Sequence, residues 1–516
     1  MDRLVRDRAE RFGDVPAVIE PGDRLTYGEL DSATRELAAV LVDSGVGKGT
    51  RVGLLLPNGI DWVRIAVALT RIGATLVPLS TLLRPPELRA QLRVAAVQIV
   101  VTVPEFRGRN YLDDLPPAHQ DGAVAPDSSL PALRQIWTAD RLLTAKPTSR
   151  AVRISTALAE SVSAADTFAI LFTSGSRGMP KGVLHSHGSA FGAVRAGLSA
   201  RAIDASTRLY LPMPFFWVGG LGGGVLSTLL AGATLVTEAV PHPPATLELL
   251  RRERVTLFRG WPEQAEALAR VAETDGVAVT TLRPGSLDAL LPAELRPRPG
   301  ARANLFGMTE SFGPYSGYPA HTDMPASAWG SCGRPFAGTQ LRITDQDTGS
   351  AVPTGDVGVI ELRGPHLLRG MCLRERTEFM TPDGFYRTGD LGRVDDRGFL
   401  YYHGRADDMF KVSGATVYPS EVERALRGLD GVIDACVTDV AGEQGARVGA
   451  LVVCDSSATP DGLRAQVRES LSAFKIPTVW VLTDSPERIP RGATGKVDIR
   501  GLRTLLQSPQ PEGAGR

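Results

Sequence analysis

Cysteine is scarce in this sequence: four residues in 516, Cys332, Cys372, Cys436 and Cys454, and no pair has CxxC spacing. This set indicates neither a disulfide framework nor a zinc knuckle, and it fits a reducing compartment. The first residues, MDRLVRDRAERFGDVPAVI, also lack the apolar segment of a signal peptide. We therefore expect a cytoplasmic protein.

The sequence also lacks an excess of charge of either sign, because it contains 57 basic and 57 acidic residues. No overall field favours nucleic acid or an anionic membrane, so neither is an expected partner. A chain of 516 residues is too long for one compact core, and two or more domains are expected.

Charged residues are absent from 209–237, a run long enough to cross a membrane. The run nevertheless holds six glycines, and Pro212 and Pro214 lie near its start. We expect a buried loop, helix and strand of a large α/β core there, and no transmembrane segment.

Apolar strands alternate with helical segments in the first half of the chain. Residues 50–80 predict strand, turn, helix and strand, and the pattern recurs around 225–260. Such alternation is typical of a parallel sheet covered on both faces. Residues 104–165 have weak periodicity and predict surface excursions, whereas short β-like runs in 330–403 predict antiparallel structure.

A compact α+β unit is predicted after the GRADD segment at 404–408. Ser420 and Glu423 have capping-box spacing at the start of a helix. Strands near 432–439 and 447–454 and a helix near 461–473 follow. The predicted fold class is therefore α/β, with a large N-terminal domain of sheets flanked by helices (1–404, β-rich at 330–403), a small mobile α+β C-terminal domain (405–505) and a disordered tail (506–516).

The segment LFTSGSRGMPKGV at 171–183 has the composition of a phosphate-binding loop. It matches neither the GxxxxGK[ST] pattern nor the GxGxxG pattern. Its hydroxyls, its glycines that let backbone N–H groups approach an anion, and its lysine suit phosphate, although a flexible surface loop has the same composition. The candidate ligands are Thr173, Ser174, Gly175, Ser176, Gly178 and Lys181.

Seven segments, taken together and in this order, resemble the adenylate-forming superfamily of acyl-CoA synthetases, firefly luciferase and peptide-synthetase adenylation domains. Besides the loop, they are LTYGEL (25–30), LLLPNGIDWVRIAVALTRIGATLVPL (54–79), LFGMTES (305–311), GFYRTGDLG (384–392), GRADDMFKVSGATVYPSEVE (404–423) and IPRGATGKVDIR (489–500). The resemblance implies that the loop at 171–183 binds the phosphates of ATP.

The resemblance also implies roles for single residues around the nucleotide. Glu310 would hold Mg²⁺ on the ATP phosphates and Thr309 would meet phosphate. Asp390 would accept the ribose hydroxyls, and Arg405 would lie on ribose or phosphate. The preceding residues of the same motif, Phe306, Gly307 and Met308, would complete the ATP/AMP site.

The C-terminal part of the resemblance implies a domain that moves between two half-reactions. Lys496 would enter the site and stabilise the negative charge that accumulates at the α-phosphate. Asp407 would be the hinge. The thiol acceptor, coenzyme A, would face Lys411, Ser413 and Gly414.

The chain departs from the family pattern at two places. Arg177 stands in the phosphate loop where a small hydroxyl residue is usual. The Gly-Gly-Ala-Pro-like stretch of the adenine pocket is replaced by LRPGSLDALLPAEL at 282–295, in which Ala289 falls near the alanine position. These departures leave a degenerate, non-catalytic binding module open as an alternative.

The segment PMPFFWVGG at 212–220 bears on the substrate. Amino-acid-activating members carry an aspartate there, whereas this chain has Phe215, Phe216, Trp217 and Gly219 as candidate acyl-pocket residues. A buried ammonium without a partner is costly, so an apolar acid is expected. The segment is most similar to bacterial fatty-acyl and steroid-side-chain CoA synthetases.

The predicted function is therefore that of an AMP-forming acyl-CoA synthetase with ATP, Mg²⁺ and coenzyme A as cofactors or co-substrates. A ligase that loads a carrier protein is the nearest alternative, and a homodimer is left open. His185 and His187 have i, i+2 spacing, but no further metal ligands accompany them, so ordinary polar contacts are expected for both, as for His403 and Cys372.

Overall fold

The computed structural model describes residues 1–173, 180–406, 410–412, 415–442, 445–456, 458–468, 470–471, 473–492 and 495–508. Its chain forms two compact units. The larger unit comprises Met1–Leu341 and Leu362–Tyr386, and the smaller unit comprises Arg342–Glu361 and Arg387–Arg516. The domain boundary predicted at 404/405 stays a prediction.

The helices of the described residues are, in chain order, α1 Asp2–Phe12, α2 Tyr27–Asp43, α3 Ile60–Arg71, α4 Pro85–Val94, α5 Ala139–Thr144, α6 Ser149–Ser161, α7 His187–Gly197, α8 Val218–Gly220, α9 Ser227–Ala231, α10 Pro243–Arg252, α11 Pro262–Thr274, α12 Pro419–Arg427, α13 Pro460–Val467 and α14 Ile499–Gln507. A π-helical turn, Leu221–Leu226, joins α8 to α9.

The strands are β1 Pro16–Glu20, β2 Asp23–Thr26, β3 Arg51–Leu55, β4 Thr75–Pro78, β5 Ile99–Thr102, β6 Glu105–Phe106, β7 Arg109–Asn110, β8 Gln135–Thr138, β9 Thr167–Thr173, β10 Lys181–Ser186, β11 Arg208–Tyr210, β12 Thr234–Val236, β13 Leu257–Phe258, β14 Phe306–Met308, β15 Gly313–Gly317, β16 Arg334–Pro335, β17 Gln340–Thr344, β18 Gly358–Arg363, β19 Gly370–Met371, β20 Tyr386–Val394, β21 Leu400–Arg405, β22 Phe410–Val412, β23 Ala415–Val417, β24 Val432–Gly442, β25 Gly445–Cys454 and β26 Val479–Thr483.

Two large sheets organise the larger unit. The seven-stranded sheet has the order β19-β10-β9-β4-β3-β5-β8, and its strands from β9 to β8 are parallel. The five-stranded sheet has the order β13-β11-β12-β1-β2 and is parallel apart from the β1–β2 hairpin. The predicted strand–helix–strand unit at 50–80 is confirmed, because β3 and β4 are parallel and α3 connects them.

The uncharged run 209–237 folds as expected for a buried segment. It forms a loop, the short helices α8 and α9 with the π-helical turn between them, and the buried strand β12. Every helix that the structure describes is too short or too polar to span a bilayer.

The expectation of surface excursions at 104–165 is wrong for its second half. Strand β8 pairs in parallel with β5 and buries Ile136 and Trp137. Helix α6 packs on α2 but buries only Ala151 and Ser155. A four-residue edge strand and a helix with so few buried side chains leave little periodicity in the sequence.

The smaller unit contains a four-stranded sheet, β17-β18-β20-β21, and a three-stranded sheet, β24-β25-β26. Strands β20 and β21 are antiparallel, as predicted for this region. Alternate residues of β24 face opposite sides of the second sheet: Val437 packs with the Val422 and Leu426 side chains of α12, and Cys436 packs with Leu502 of α14.

Two details at the edges of this unit differ from the sequence expectations. The predicted capping box is wrong, because α12 begins at Pro419; the Ser420 hydroxyl donates to His403 O, and Glu423 accepts from Val437 N. Helix α14 continues through Gln507, because Leu506 is buried one turn after Leu502. Residues 506–507 are therefore helical, and 509–516 lie outside the described residues.

Candidate active site

The phosphate-loop candidate connects two antiparallel strands of the large sheet. Strand β9 ends at Thr173, β10 begins at Lys181, and these two residues are paired in the ladder. The loop therefore starts and ends at one edge of the larger unit's core. The candidates Ser174, Gly175, Ser176 and Gly178, together with Arg177, lie outside the described residues.

The motif at 306–311 forms a tight hairpin in the same unit. Strand β14 pairs with β15, and the turn Thr309–Ser311 joins them through Phe312, whose φ is +52°. The Ser311 hydroxyl donates to Gly313 O at 2.7 Å. A Cβ atom at Gly307 would lie 2.2 Å from Gly313 O, so only glycine permits this approach.

His185 connects the phosphate-loop strands to that hairpin. Its Nε2 lies 2.8 Å from Thr309 O, and its ring contacts Phe312 edge-on with centroids 4.9 Å apart. The residue has no exposed surface, and burial lowers its pKa to about 4. The imidazole is therefore neutral near pH 7, and the contact with a carbonyl assigns the proton to Nε2.

The expected polar contacts are confirmed for His185 and wrong for His187. Both ring nitrogens of His187 are buried without a hydrogen-bond partner among the described residues, and the ring lies edge-on to Phe168 and Phe191. Burial lowers its pKa to about 3. In the described part of the chain, no cluster of His, Cys, Asp and Glu residues forms a metal site. His403 likewise has its Nε2 atom buried without a partner in the structure as described.

Glu310 projects from the turn of the hairpin and is 7% exposed. The Tyr386 hydroxyl donates to its Oε1 at 3.1 Å, and its backbone carbonyl accepts from Leu368 N at 2.8 Å. No described cation forms an ion pair with this carboxylate. A fixed oxygen ligand without a cationic partner fits Mg²⁺, which takes one or two carboxylates plus phosphate oxygens.

Asp390 and Arg405 lie together in the smaller unit. They are opposite residues of β20 and β21, and Arg405 Nη1 lies 3.2 Å from Asp390 Oδ1. Arg405 also donates to Thr388 O at 3.0 Å. Gly389, at φ +73°, leaves room for the guanidinium, because a Cβ there would lie 2.8 Å from Nη2. Asp390 is 6% exposed, whereas the Arg405 side chain is 38% exposed, so the carboxylate is the buried member of the pair.

Other candidates of the smaller unit are placed separately. Lys496 is exposed and lies at a turn that the Gly492 N–H closes on its carbonyl at 2.8 Å. Lys411 lies on β22, opposite Thr416 of β23. Asp407, Ser413 and Gly414 lie outside the described residues.

The candidate acyl segment is held by Asn58, which the sequence motif contained but did not single out. Asn58 Oδ1 accepts from Phe215 N at 2.8 Å, and its Nδ2 donates to Met213 O at 3.0 Å. Phe215 is fully buried against Trp62, with ring centroids 5.3 Å apart.

Phe216 and Trp217, which follow Phe215, extend the aromatic contacts to Trp261. Phe216 contacts the half-buried Trp217, and Trp217 contacts Trp261 at a centroid distance of 6.1 Å. At Gly219 a Cβ atom would lie 2.9 Å from Met213 Sδ. The segment is therefore apolar and tightly packed, as its composition predicts.

Sequence reasoning missed the supporting roles of Tyr386, His185 and Asn58. Tyr386 lies in the GFYRTGDLG motif, and its place in that motif was the one sequence feature that could have indicated its role. The partner of His185 lies 124 residues away, which no local pattern reveals.

Comparison with known proteins extends over most of the chain. The family model described as AMP-binding enzyme matches residues 5–371. The 3-[(3aS,4S,7aS)-7a-methyl-1,5-dioxo-octahydro-1H-inden-4-yl]propanoyl:CoA ligase of Rhodococcus jostii (strain RHA1) is 30% identical over 514 residues, with 96% of each chain covered. The 3-hydroxybenzoate–CoA ligase of Aromatoleum sp. (strain CIB) is 29% identical over 515 residues, which cover 97% of this chain and 95% of that one.

Among solved structures, a Mycobacterium tuberculosis fatty acyl CoA synthetase aligns with a TM-score of 0.73 at 26% identity and covers 98% of this chain and 97% of its own. The fold is therefore shared over nearly the full length. The names of the three proteins refer to different acids but to the same acceptor, coenzyme A.

Proposed function

Since the chain belongs to the AMP-binding enzyme family and is an acid–thiol ligase, we propose that it activates an apolar carboxylic acid as acyl-AMP, with release of pyrophosphate, and then transfers the acyl group to the thiol of coenzyme A. The proposal places this reaction in the cytoplasm.

The observation that carries the proposal is the connection between the phosphate-loop strands and the Thr309–Glu310 turn. His185 on β10 donates a hydrogen bond from Nε2 to Thr309 O. Thr173 and Lys181, which are paired in the ladder between β9 and β10, flank the loop. The two ends of the candidate phosphate loop and the turn that carries Glu310 are therefore connected within the larger unit, which supports the proposal. This arrangement suits a nucleoside triphosphate with bound Mg²⁺.

In the first half-reaction an oxygen of the acid attacks the α-phosphorus of ATP, and the bond to pyrophosphate breaks. Glu310, oriented by the Tyr386 hydroxyl, would hold Mg²⁺, which neutralises phosphate charge when bound. Asp390 would accept hydrogen bonds from the ribose hydroxyls, with Arg405 holding its carboxylate in place. Lys496 would contribute a positive charge at the α-phosphate, where negative charge accumulates.

In the second half-reaction the thiol sulfur attacks the acyl carbonyl and AMP leaves. We propose that the small domain turns about Asp407 between the two steps, so that Lys411, Ser413 and Gly414 face the thiol. Alternation of this kind lets one substrate site serve two different reactions.

The acyl segment supports the proposed substrate class. Phe216 and Trp217 are aromatic, and the segment 212–220 contains no carboxylate that could pair with an ammonium group. Leaving such a charge buried without a partner costs several kcal/mol. An acid without an α-amino group is therefore favoured.

Pyrophosphate release from ATP, measured over a panel of fatty, aromatic and steroid-derived acids with and without coenzyme A, tests the proposal. We expect acid-dependent release, and a thioester only when coenzyme A is present. Release with persistent acyl-AMP and no thioester would favour a carrier-loading ligase. No release with any acid would favour a non-catalytic binding module.

The role of Lys496 has a separate test. The Lys496→Ala variant should lose acid-dependent pyrophosphate release by at least ~100-fold, since a charge aimed at the transition state is removed. The same variant should still convert supplied acyl-AMP to thioester. Unchanged adenylation would show that Lys496 does not act at the α-phosphate.

A further inference from the structure

Lys496 lies on a short hairpin of the smaller unit, which we call the Lys496 hairpin and which comprises the described residues of 490–498. Two backbone hydrogen bonds join its arms. The N–H of Asp498 donates to Pro490 O at 2.8 Å, and the N–H of Gly492 donates to Lys496 O at 2.8 Å. The backbone of Lys496 is therefore part of an ordered element.

The base of the Lys496 hairpin is anchored to the core of the smaller unit. Ile489, which precedes the hairpin, is buried and packs in one cluster with Leu502 of α14. Gly501 brings the same helix close to the first arm, because a Cβ atom there would lie 2.9 Å from Pro490 Cβ. Burial therefore fixes where the hairpin begins.

The turn of the hairpin lacks this kind of support. Gly495 is exposed and has a φ of +77°, and no described atom lies within 4 Å of a Cβ atom built there. Lys496 is also exposed, and its ammonium group forms no ion pair with a described residue. Apolar packing therefore does not determine the position of the turn, and a polar contact must do so.

Arg491 supplies that contact. Its Nη1 donates to Gly495 O at 2.9 Å, and its Nη2 lies 3.9 Å from Asp434 Oδ2 on β24. Asp434 is itself held in place, because its Oδ1 accepts from Ala435 N and from Arg427 Nε, each at 2.8 Å. The guanidinium of Arg491 thus connects the turn before Lys496 to the central sheet of the unit.

The magnitudes indicate a role in position rather than in stability. The side chains of Arg491 and Asp434 are 45% and 29% exposed, and an ion pair this exposed contributes little to the free energy of unfolding. In contrast, displacing a group that acts on a transition state by ~1 Å can lower the rate ~100-fold. Loss of the contact should therefore affect what Lys496 does more than it affects folding.

We propose that Arg491 is a positioning residue for Lys496. It holds the carbonyl of Gly495 and thereby places the adjacent ammonium group for the first half-reaction. Arg491 itself contacts no substrate in this assignment and acts only through the backbone of the turn. The inference rests on the proposed function, because it assigns Lys496 to acyl-AMP formation.

The two half-reactions of Arg491→Met, measured separately, test the inference. Pyrophosphate release at saturating ATP and acid should fall ~10-fold, which is less than the loss in Lys496→Ala, because the charge is displaced and not removed. Conversion of supplied acyl-AMP to thioester should stay within ~2-fold of wild type, since the lysine is not used in that step. The melting temperature should change by at most ~2 °C.

Two further variants make the test specific. Arg491→Lys keeps a donor that can reach one of the two acceptors, and it should recover part of the lost pyrophosphate release. Arg488→Met is the matched control, because Arg488 is exposed in the same segment and its side chain has no hydrogen bond or ion pair within the described residues. The control should match wild type in both half-reactions.

Three outcomes would overturn the inference: wild-type adenylation in Arg491→Met, an equal loss of both half-reactions in that variant, or the same loss in Arg488→Met. The first would leave the proposed reaction intact, because only the role of Arg491 would be lost. The second would indicate a general structural defect, and the third would indicate an effect of surface charge.

Hydrogen exchange of the peptide that contains the Lys496 hairpin separates the inference from the proposed function. Its amides should exchange ~2- to 10-fold faster in Arg491→Met than in wild type and Arg488→Met, the range for the loss of one hydrogen bond. If the wild-type protein forms acyl-AMP with no acid, the proposed reaction is refuted, while faster exchange would still support the contact of Arg491 with the turn. Unchanged exchange would refute that contact whatever the activity.

Discussion

Replacing His185 tests whether the phosphate-loop strands and the Glu310 turn depend on one buried, neutral imidazole. His185→Gln keeps a donor near the position of Nε2 but cannot titrate, whereas His185→Leu removes the donor. The bond to Thr309 O is 2.8 Å long, but this carbonyl also accepts from Phe312 N at 3.0 Å. The leucine variant should therefore lose only about 1 kcal/mol from the hydrogen bond, because the carbonyl is not left without a donor.

The pH dependence gives the larger effect. Burial lowers the pKa of His185 from 6.5 to about 4, so between these values the unfolded chain binds more protons than the folded one. The contribution of neutral His185 to the free energy of unfolding is fully present above the pKa of the unfolded state. It decreases as the pH falls toward the pKa of the folded state. At pH 5 the loss is roughly 1.5 pH units at about 1.4 kcal/mol each, or ~2 kcal/mol.

Urea unfolding of the wild-type protein and His185→Gln at pH 7.5 and pH 5.0 measures this difference. The wild-type protein should lose ~2 kcal/mol more than the variant between the two pH values, while His187 contributes equally to both. Equal losses in the two proteins would refute the neutral burial of His185. At pH 7.5, adenylation should be near wild type in His185→Gln and reduced in His185→Leu.

Two further substitutions test the same hairpin. Tyr386→Phe removes the hydroxyl that orients Glu310 and should raise the Mg²⁺ concentration for half-maximal pyrophosphate release by ~10-fold; an unchanged Mg²⁺ requirement would contradict this role. Gly307→Ala should lower the melting temperature and impair ATP binding, because its Cβ would lie 2.2 Å from Gly313 O, whereas Gly223→Ala, with no atom within 4 Å of its Cβ, should be tolerated. Equal effects of the two substitutions would contradict this reasoning, because they would show that the backbone at Gly307 accommodates a Cβ atom without loss of stability.

Local patterns predicted the parts of the fold that depend on local order. The segment 50–80 has apolar strands and a helix with clear periodicity, and its β3–α3–β4 structure follows directly. The uncharged run 209–237 was correctly assigned to the core, because glycine and proline argue against a membrane helix. Strand β8 was missed because four edge residues carry too short a pattern.

The orientation of the site residues could not be predicted from the sequence, because it depends on contacts between segments that are far apart in the chain. The motifs identified Glu310, but its orientation depends on Tyr386, 76 residues away. The motifs identified the loop after Thr173, but its connection to the Glu310 turn depends on His185 and a backbone carbonyl.

Acyl-AMP formation is the central step of the proposed reaction. A single turnover of enzyme, ATP, Mg²⁺ and the best acid of the panel, followed by mass spectrometry before and after addition of coenzyme A, measures it. We expect acyl-AMP with one equivalent of pyrophosphate before the addition, and acyl-CoA with AMP after it. ATP cleavage to ADP and phosphate, or thioester formation without a preceding acyl-AMP, would contradict it.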